Sequence, residues 1–373
     1  MHHPLKGKRV LFGTSSWGLG HATRDLVLMR GLLDAGCSLS VVTDGNALRV
    51  LQGELGDEAE FLDWPDIPTS VSSTTLGFYA KTVANIPQIL STWVTEKRRL
   101  KELLKHHSFD LIVSDHRFGM VTPEIPSYFI THSLRYIAPW RDPIVEATME
   151  GFVARWLSPV RGVFIPDDAE DGLSGDMSHK LRFFPPEKRV YLGMLSSVEG
   201  RDVDPDIDIF ITISGPEPQR TMLQEKILQQ LHVLEGRRVV VTLGQPGQEP
   251  PPAPPGIEIY SYLDRDRQAE MINRSKLVVC RSGYTTLMEL AEVGRRALLI
   301  PTPGQTEQLY LGKTLHERGM FYSVEQRNLD LGRDIPRAVD YPGYQPDHPT
   351  AGSVEIFLNT LQREFDSPTE NGT

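Results

Sequence analysis

The feature that most constrains this chain is its rhythm: short apolar runs alternate with amphipathic, helix-length stretches from residue 9 to residue 317. A strand, a helix and a second strand together bury both faces of a parallel sheet. A long series of such units therefore specifies α/β layers and excludes all-helical and all-β folds. The first unit is explicit: residues 9–12 read as a strand, 13–20 as a loop rich in glycine and serine, 21–35 as a helix closed by Gly36, and 38–43 as the next strand. Further strands are expected at 111–113, 128–131 and 163–166, with another ending in 190–195. A polar stretch at 196–205 reads as a linker, and a second series follows. Its expected strands are 207–213, 238–243, 257–260, 277–280 and 297–300; its expected helices are 219–231, 265–273, 285–293 and 307–317. The reading is two Rossmann-like parallel-sheet domains, 1–198 and 199–350, facing an interdomain cleft. A helix in 351–373 folds back on the first domain and precedes a polar tail expected to be disordered.

Composition narrows the function. Hydrophobic residues make up 39% of the 373 residues, enough for two cores. The formal net charge of -10 argues against nucleic acid, whose phosphates need clustered Lys and Arg. Cys37 and Cys280 lie apart in apolar runs, which fits a reducing compartment and argues against a zinc site. Residues 1–8 are polar with no apolar signal region, and no apolar run approaches the ~18 residues of a membrane span. The expectation is a cytoplasmic protein. A helix at 86–105 carries Ile86, Leu90, Trp93, Val94, Leu100 and Leu104 at helical spacing, decorated by Lys97, Arg98, Arg99, Lys101 and Lys105. A core stripe with a solvated basic face is the favoured reading; a patch that meets anionic lipid at the inner membrane face is the sharper one.

Open parallel sheets bind ligands where strands feed helix N-termini, whose free N–H groups attract anions. Four segments occupy such positions. In 13–24, the glycines Gly18 and Gly20 let a ligand approach the backbone, and His21 sits at a helix start where a neutral imidazole can act as a base. A glycine turn with a capping histidine is the alternative, and the loop lacks the third glycine of a dinucleotide fingerprint. In 213–220, Ser214, Gly215 and Arg220 can cradle a diphosphate, or form a proline-rich turn. In 280–289, Ser282, Gly283, Thr285 and Thr286 present hydroxyls and N–H groups at a helix start, with Glu289 one turn in and suited to ribose hydroxyls. In 301–308, Glu307 and Gln308 can hold sugar hydroxyls, or merely cap a helix. Asp115 and His132 each end a first-domain strand, as helpers of His21 or as turn caps. The Asp-x-Asp stretches at 204–208 and 264–266 are weak metal motifs, and no metal or other cofactor is expected.

Residues 280–319 resemble the donor-binding signature of the family 28 glycosyltransferases of GT-B fold, in Cys280-Arg281-Ser282-Gly283, Thr286, Glu289, Pro301 and Gln308. Gly18-x-Gly20-His21-x-x-Arg24 resembles the acceptor-side loop of the same superfamily. The resemblance implies transfer of a sugar from a nucleoside-diphosphate donor, UDP-linked, with the helix dipoles in place of a metal. By position it assigns Glu289 to ribose, 282–286 to the diphosphate, Gln308 with Glu307 to the sugar and the Leu263 backbone to the base, with Arg281 also in the donor-binding set. It leaves the acceptor open, with a lipid-linked or polysaccharide precursor as the class in view, because the first loop lacks a Gly-Gly-His arrangement and 214–220 replaces a Gly-Gly-Ser type. His21 is then the base, with Asp115 as helper or alternative. A nucleotide-sugar hydrolase using the same histidine loop and a non-catalytic nucleotide-sugar-binding protein are the rival readings.

Overall fold

The structure, a computed structural model, describes residues 4–67 and 75–366. Among these, one compact unit holds 4–67, 83–197 and 347–366, and a second holds 75–82 and 198–346. The polar tail beyond 366 lies outside the described residues.

In chain order the first sheet takes β1 (Arg9–Thr14), β2 (Ser38–Thr43), β3 (Ala59–Asp63), β4 (Leu111–Asp115), β5 (Ser127–Ile130), β6 (Gly162–Ile165) and β7 (Arg189–Tyr191). The helices of this part are α1 (Leu19–Asp34), α2 (Gly45–Leu55), α3 (Thr75–His106) and α4 (Pro143–Trp156). All neighbours pair in parallel, in the order β3-β2-β1-β4-β5-β6-β7. The second sheet takes β8 (Ile207–Thr212), β9 (Val239–Thr242), β10 (Ile257–Tyr260), β11 (Ser275–Cys280), β12 (Arg296–Leu299) and β13 (Tyr322–Ser323). Between them run α5 (Gln219–Leu228), α6 (Arg265–Arg274), α7 (Tyr284–Val293) and α8 (Thr306–Glu317), with α9 (Leu331–Val339) after β13. Its order, β10-β9-β8-β11-β12-β13, repeats the first sheet's logic, again all parallel. The strands are nearly continuous in apolar residues because helices cover both faces. In the second unit Ile209, Ile211, Val239, Val241, Leu277, Val279 and Leu298 build one core with Leu223, Ile227 and Ile335.

In both sheets the chain reverses its direction of travel beside the first strand, at β1/β4 and at β8/β11. Loops leaving two such neighbours diverge and open a crevice at their carboxyl ends. The four chemistry-bearing loops start there or one strand away.

The last helix, α10 (Thr350–Asp366), packs on the first unit. A Cβ on Gly31 of α1 would lie 2.8 Å from Val354 Cγ1, so a larger residue there would push the two helices or the valine aside. Phe357 is buried against Phe164, and Tyr128 donates to Glu364 at 2.6 Å. α3 departs from its expected core stripe. Trp93 and Leu100 are buried, but Ile86 and Val94 are 42% and 41% exposed, so its apolar spacing only partly marks a core.

Candidate active site

At the end of β1 the chain enters a loop held by Asp66, which accepts the Ser15 hydroxyl at 2.7 Å and the Ser16 N–H at 2.8 Å. Gly18, at φ 83°, turns the backbone into α1, and Thr23 donates to the Gly20 carbonyl at 3.2 Å. The helix start sets His21 and Arg24 three residues apart, on one face. Asp115, the last residue of β4 and fully buried, meets both. His21 Nδ1 lies 2.9 Å from Asp115 Oδ2. Arg24 grips the same carboxylate with Nε at 2.9 Å and Nη2 at 2.6 Å. Arg24 is itself buried, so this two-pronged pair is what lets a guanidinium leave water.

Electrostatics fix the protons. Burial pushes the Asp115 carboxyl up, but Arg24 and then His21 outweigh it and hold it well below the usual carboxylate range. His21 Nδ1 also lies 2.8 Å from Arg24 Nη2, so Asp115 and Arg24 compete for it; a proton on Nδ1 facing Asp115 leaves Nε2 able to act as a general base. Asp25 is the counterpart. Burial and the Asp115 charge push it well above the usual range, and Thr14 donates to it at 2.9 Å. His132, buried, stands with Nδ1 3.4 Å from Arg24 Nη1. His116, adjacent to Asp115, completes the group with its ring 4.9 Å from that of His21. Ligand atoms of His21, Asp115 and His116 lie within 4.8 Å of one another, but Arg24 already supplies positive charge to both Asp115 oxygens. Asp25, Asp66 and His116 were not anticipated from sequence. Each lies in an unremarkable local pattern, and only the pairing of β1 with β4 or the packing of the 64–67 loop brings them in.

In the second unit the loops after β8, β11 and β12 are laced by Arg281. Its guanidinium is buried and donates to the carbonyls of Ser214 (3.2 Å), Ile300 (3.1 Å) and Gln219 (3.0 Å). Arg281 therefore organises the loops; its donors are taken by main chain. Ser282 is buried too, its hydroxyl donating to the Gln308 carbonyl at 2.8 Å. Gln308 Oε1 accepts the Thr302 N–H at 2.9 Å, which ties the start of α8 to the end of β12. Gly283 precedes α7 with no side-chain cap, and the hydroxyls of Thr285 and Thr286 have no hydrogen-bond partner among the described residues. The same holds for Glu289, half-buried one turn in, whose carboxyl burial pushes up to about 7 against the pull of Arg265. Glu307 is half-buried in the first turn of α8. Ser214 and Gly215 are exposed in the loop after β8, with Gly215 at φ 113°. Arg220 is held by Glu217 and donates to the Leu243 carbonyl at 3.3 Å. Leu263 is buried with its carbonyl engaged by Gln268 at 3.0 Å.

Residues 219–341 match the glycosyltransferase family 28 C-terminal domain. A UDP-N-acetylglucosamine–N-acetylmuramyl-(pentapeptide) pyrophosphoryl-undecaprenol N-acetylglucosamine transferase of Syntrophotalea carbinolica is 41% identical over 109 residues, 26% of this chain and 30% of its own. The enzyme of that name from Histophilus somni is 39% identical over 75 residues, 20% of each chain. The matched stretches thus span a third or less of these relatives' own lengths. Likeness of fold extends much further. The glycotransferase of kitacinnamycin superposes with a TM-score of 0.65 over 96% of this chain and 95% of its own, at 15% identity. MurG of Acinetobacter baumannii does so with a TM-score of 0.59 over 95% and 99%, also at 15% identity. Two Rossmann-like parallel sheets and the likeness to these structures give the chain a GT-B fold, and its second unit carries a stretch, 219–341, that matches the glycosyltransferase family 28 C-terminal domain.

Proposed function

We propose that this chain transfers a sugar from a UDP-linked donor, held by its second unit, to an acceptor hydroxyl deprotonated by His21. The observation that carries the reading is Glu289: a half-buried carboxyl without a hydrogen-bond partner among the described residues, inside the segment that matches the family 28 domain. An ionisable group left unsatisfied at such a position fits a ligand that brings its own donors, here a pair of ribose hydroxyls. The uncapped start of α7, with Ser282 to Thr286, takes the diphosphate; Arg220 adds charge from the loop after β8. Gln308 and Glu307 hold the sugar, and the Leu263 backbone the base. His21, with Nδ1–H on Asp115, removes the acceptor proton as the sugar–phosphate bond breaks, and no metal takes part. Gly18, Gly20, Arg24 and His132 shape the acceptor side.

The relatives' names specify an undecaprenol-linked acceptor, and a lipid-linked precursor is the acceptor class we favour. No described helix is long and apolar enough to cross a membrane. Contact with a membrane surface from the cytoplasmic side would use the exposed Val83, Ile86 and Val94 of α3 beside the exposed Lys97, Arg98 and Arg99. Co-sedimentation with anionic but not neutral vesicles is the expected sign; equal partitioning would remove this role from α3.

The same His21–Asp115 pair can activate water, which keeps nucleotide-sugar hydrolysis as the second reading. A thermal-shift screen of nucleotide sugars, followed by a free-sugar assay without acceptor, separates the readings. UDP-sugars should raise the melting temperature with little sugar released. Rapid release points to a hydrolase, and no shift with any nucleotide sugar refutes both.

A further inference from the structure

His116 follows Asp115 at the end of β4. Its backbone sits at φ 56°, a left-handed conformation that costs a histidine about 1 kcal/mol or more and persists where the surroundings demand it. Its ring stands edge-on to His21 with centroids 4.9 Å apart, and 5.8 Å from the ring of His132.

Elimination locates the proton on this ring. Thr131 is fully buried. Its hydroxyl accepts the Ser133 N–H at 2.9 Å and lies 2.8 Å from His116 Nε2. The hydroxyl hydrogen has no other acceptor among the described residues, and a buried donor left idle costs about 1–3 kcal/mol. It therefore goes to Nε2, which must be bare. Burial above all pushes His116 well below the ordinary histidine range, so the ring is neutral and, with Nε2 facing the Thr131 hydroxyl, carries its hydrogen on Nδ1. That N–H has no hydrogen-bond partner among the described residues. For His21 the opposite polarity is the one that serves a base: Nδ1–H toward Asp115 at 2.9 Å rather than Nδ1 accepting from Arg24 Nη2 at 2.8 Å, with Nε2 bare.

We propose that His116 Nδ1–H binds the oxygen of the attacking hydroxyl while His21 Nε2 takes its hydrogen. A hydroxyl has one donor and two acceptor positions, and the two histidines supply one partner of each kind. As the hydroxyl oxygen bonds to the anomeric carbon, the bond to the diphosphate oxygen breaks. The proton goes to His21 Nε2 and the electron pair leaves on the diphosphate. The pair selects a neutral hydroxyl over a carboxylate or phosphate oxygen, which has no hydrogen to surrender. This assignment rests on the sugar-transfer reading, but its proton geometry can be tested without turnover.

Long-range ¹H–¹⁵N spectra of the full chain, labelled at histidine, read the tautomers directly. At neutral pH one ring should be uncharged with its proton on Nδ1, assigned by its loss in His116→Asn. Asparagine tolerates the left-handed backbone. Thr131→Val keeps the shape and removes the acceptor-side constraint. It should lower UDP release from UDP-N-acetylglucosamine, counted per folded molecule, roughly tenfold or more with UDP affinity near that of the parent, while the lost buried hydrogen bonds lower the melting temperature. A His116 ring that is charged or protonated on Nε2 overturns the assignment. So does a Thr131→Val protein with undiminished turnover. A parent chain that releases no UDP counts against sugar transfer alone, and the tautomer then decides whether His116 offers its N–H.

Discussion

Asp115 keeps its charge because Arg24 lies across both its oxygens; Glu289 has no such partner and is pushed up to about 7. The difference leads to two predictions. His21→Ala removes the proposed base and should lower turnover by roughly 10²–10⁴-fold, the usual contribution of a general base. UDP affinity should barely change, because the proposal places the nucleotide on the second unit. Parallel measurement of rate and melting temperature tests this: lost stability with normal turnover per folded molecule would make His21 structural. For Glu289 the sign is different. Its folded pKa lies above the ordinary carboxylate value, so the folded chain binds that proton more tightly than the unfolded chain. Stability from this group is full below about pH 4.5 and is lost as pH rises towards about 7. Glu289→Gln should therefore stabilise the protein at pH 8, by about 1–2 kcal/mol once solvent at this half-buried group is allowed for. Denaturant titrations at two pH values check this, and a variant less stable than the parent at high pH would contradict it.

Among the elements, α3 is fastened to the site by a buried pair. Arg117 Nε donates to Glu96 at 2.7 Å and Arg117 Nη2 to the Trp64 carbonyl at 2.9 Å, while Glu96 also accepts the Gly119 N–H at 3.2 Å. A Cβ on Gly119 would fall 2.3 Å from Glu96 Cβ and 2.5 Å from the Trp93 carbonyl, neither of which can easily yield. Gly119→Ala should cost about 2–3 kcal/mol, or several degrees of melting temperature, and loosen the loop that carries Asp115 and His116. An unchanged melting curve would mean that α3 shifts freely. The same elements show what the sequence disclosed. The strands of both sheets were legible because burial on two faces leaves unbroken apolar runs, as in Leu277–Val279. β3 and β13 were not, because β3 is a half-exposed edge strand, Ala-Glu-Phe-Leu-Asp, and β13 is only the two half-buried residues Tyr322–Ser323 at the other sheet's edge. α4 was hidden too: Ile144 is 76% exposed and Phe152 37%, which blurs the one-sided spacing that announces a surface helix.

At the scale of the whole molecule, the same strand order is built twice, and each copy offers the loops beside its first strand to chemistry. The loops of the second sheet could be read from their residues, since strand, glycine turn and helix follow one another locally at 275–293. The roles within them were less legible. Arg281 and Ser282 carry the signature yet serve the loop backbone, a division that depends on which carbonyls the fold brings near. In the first sheet, His21 and Asp115 are 94 residues apart and meet only because β1 pairs with β4.

The central claim is that the second unit binds a nucleoside diphosphate through Glu289 without a metal. Titration calorimetry of the full chain with UDP, in buffer containing EDTA, addresses it most directly when the parent and Glu289→Ala are compared. The account predicts binding by the parent and an affinity lower by roughly tenfold or more in the variant, as expected for loss of a charge-assisted hydrogen bond worth about 1.5–3 kcal/mol. Equal affinity in the two proteins, or binding by the parent that appears only when Mg²⁺ is added, would contradict it.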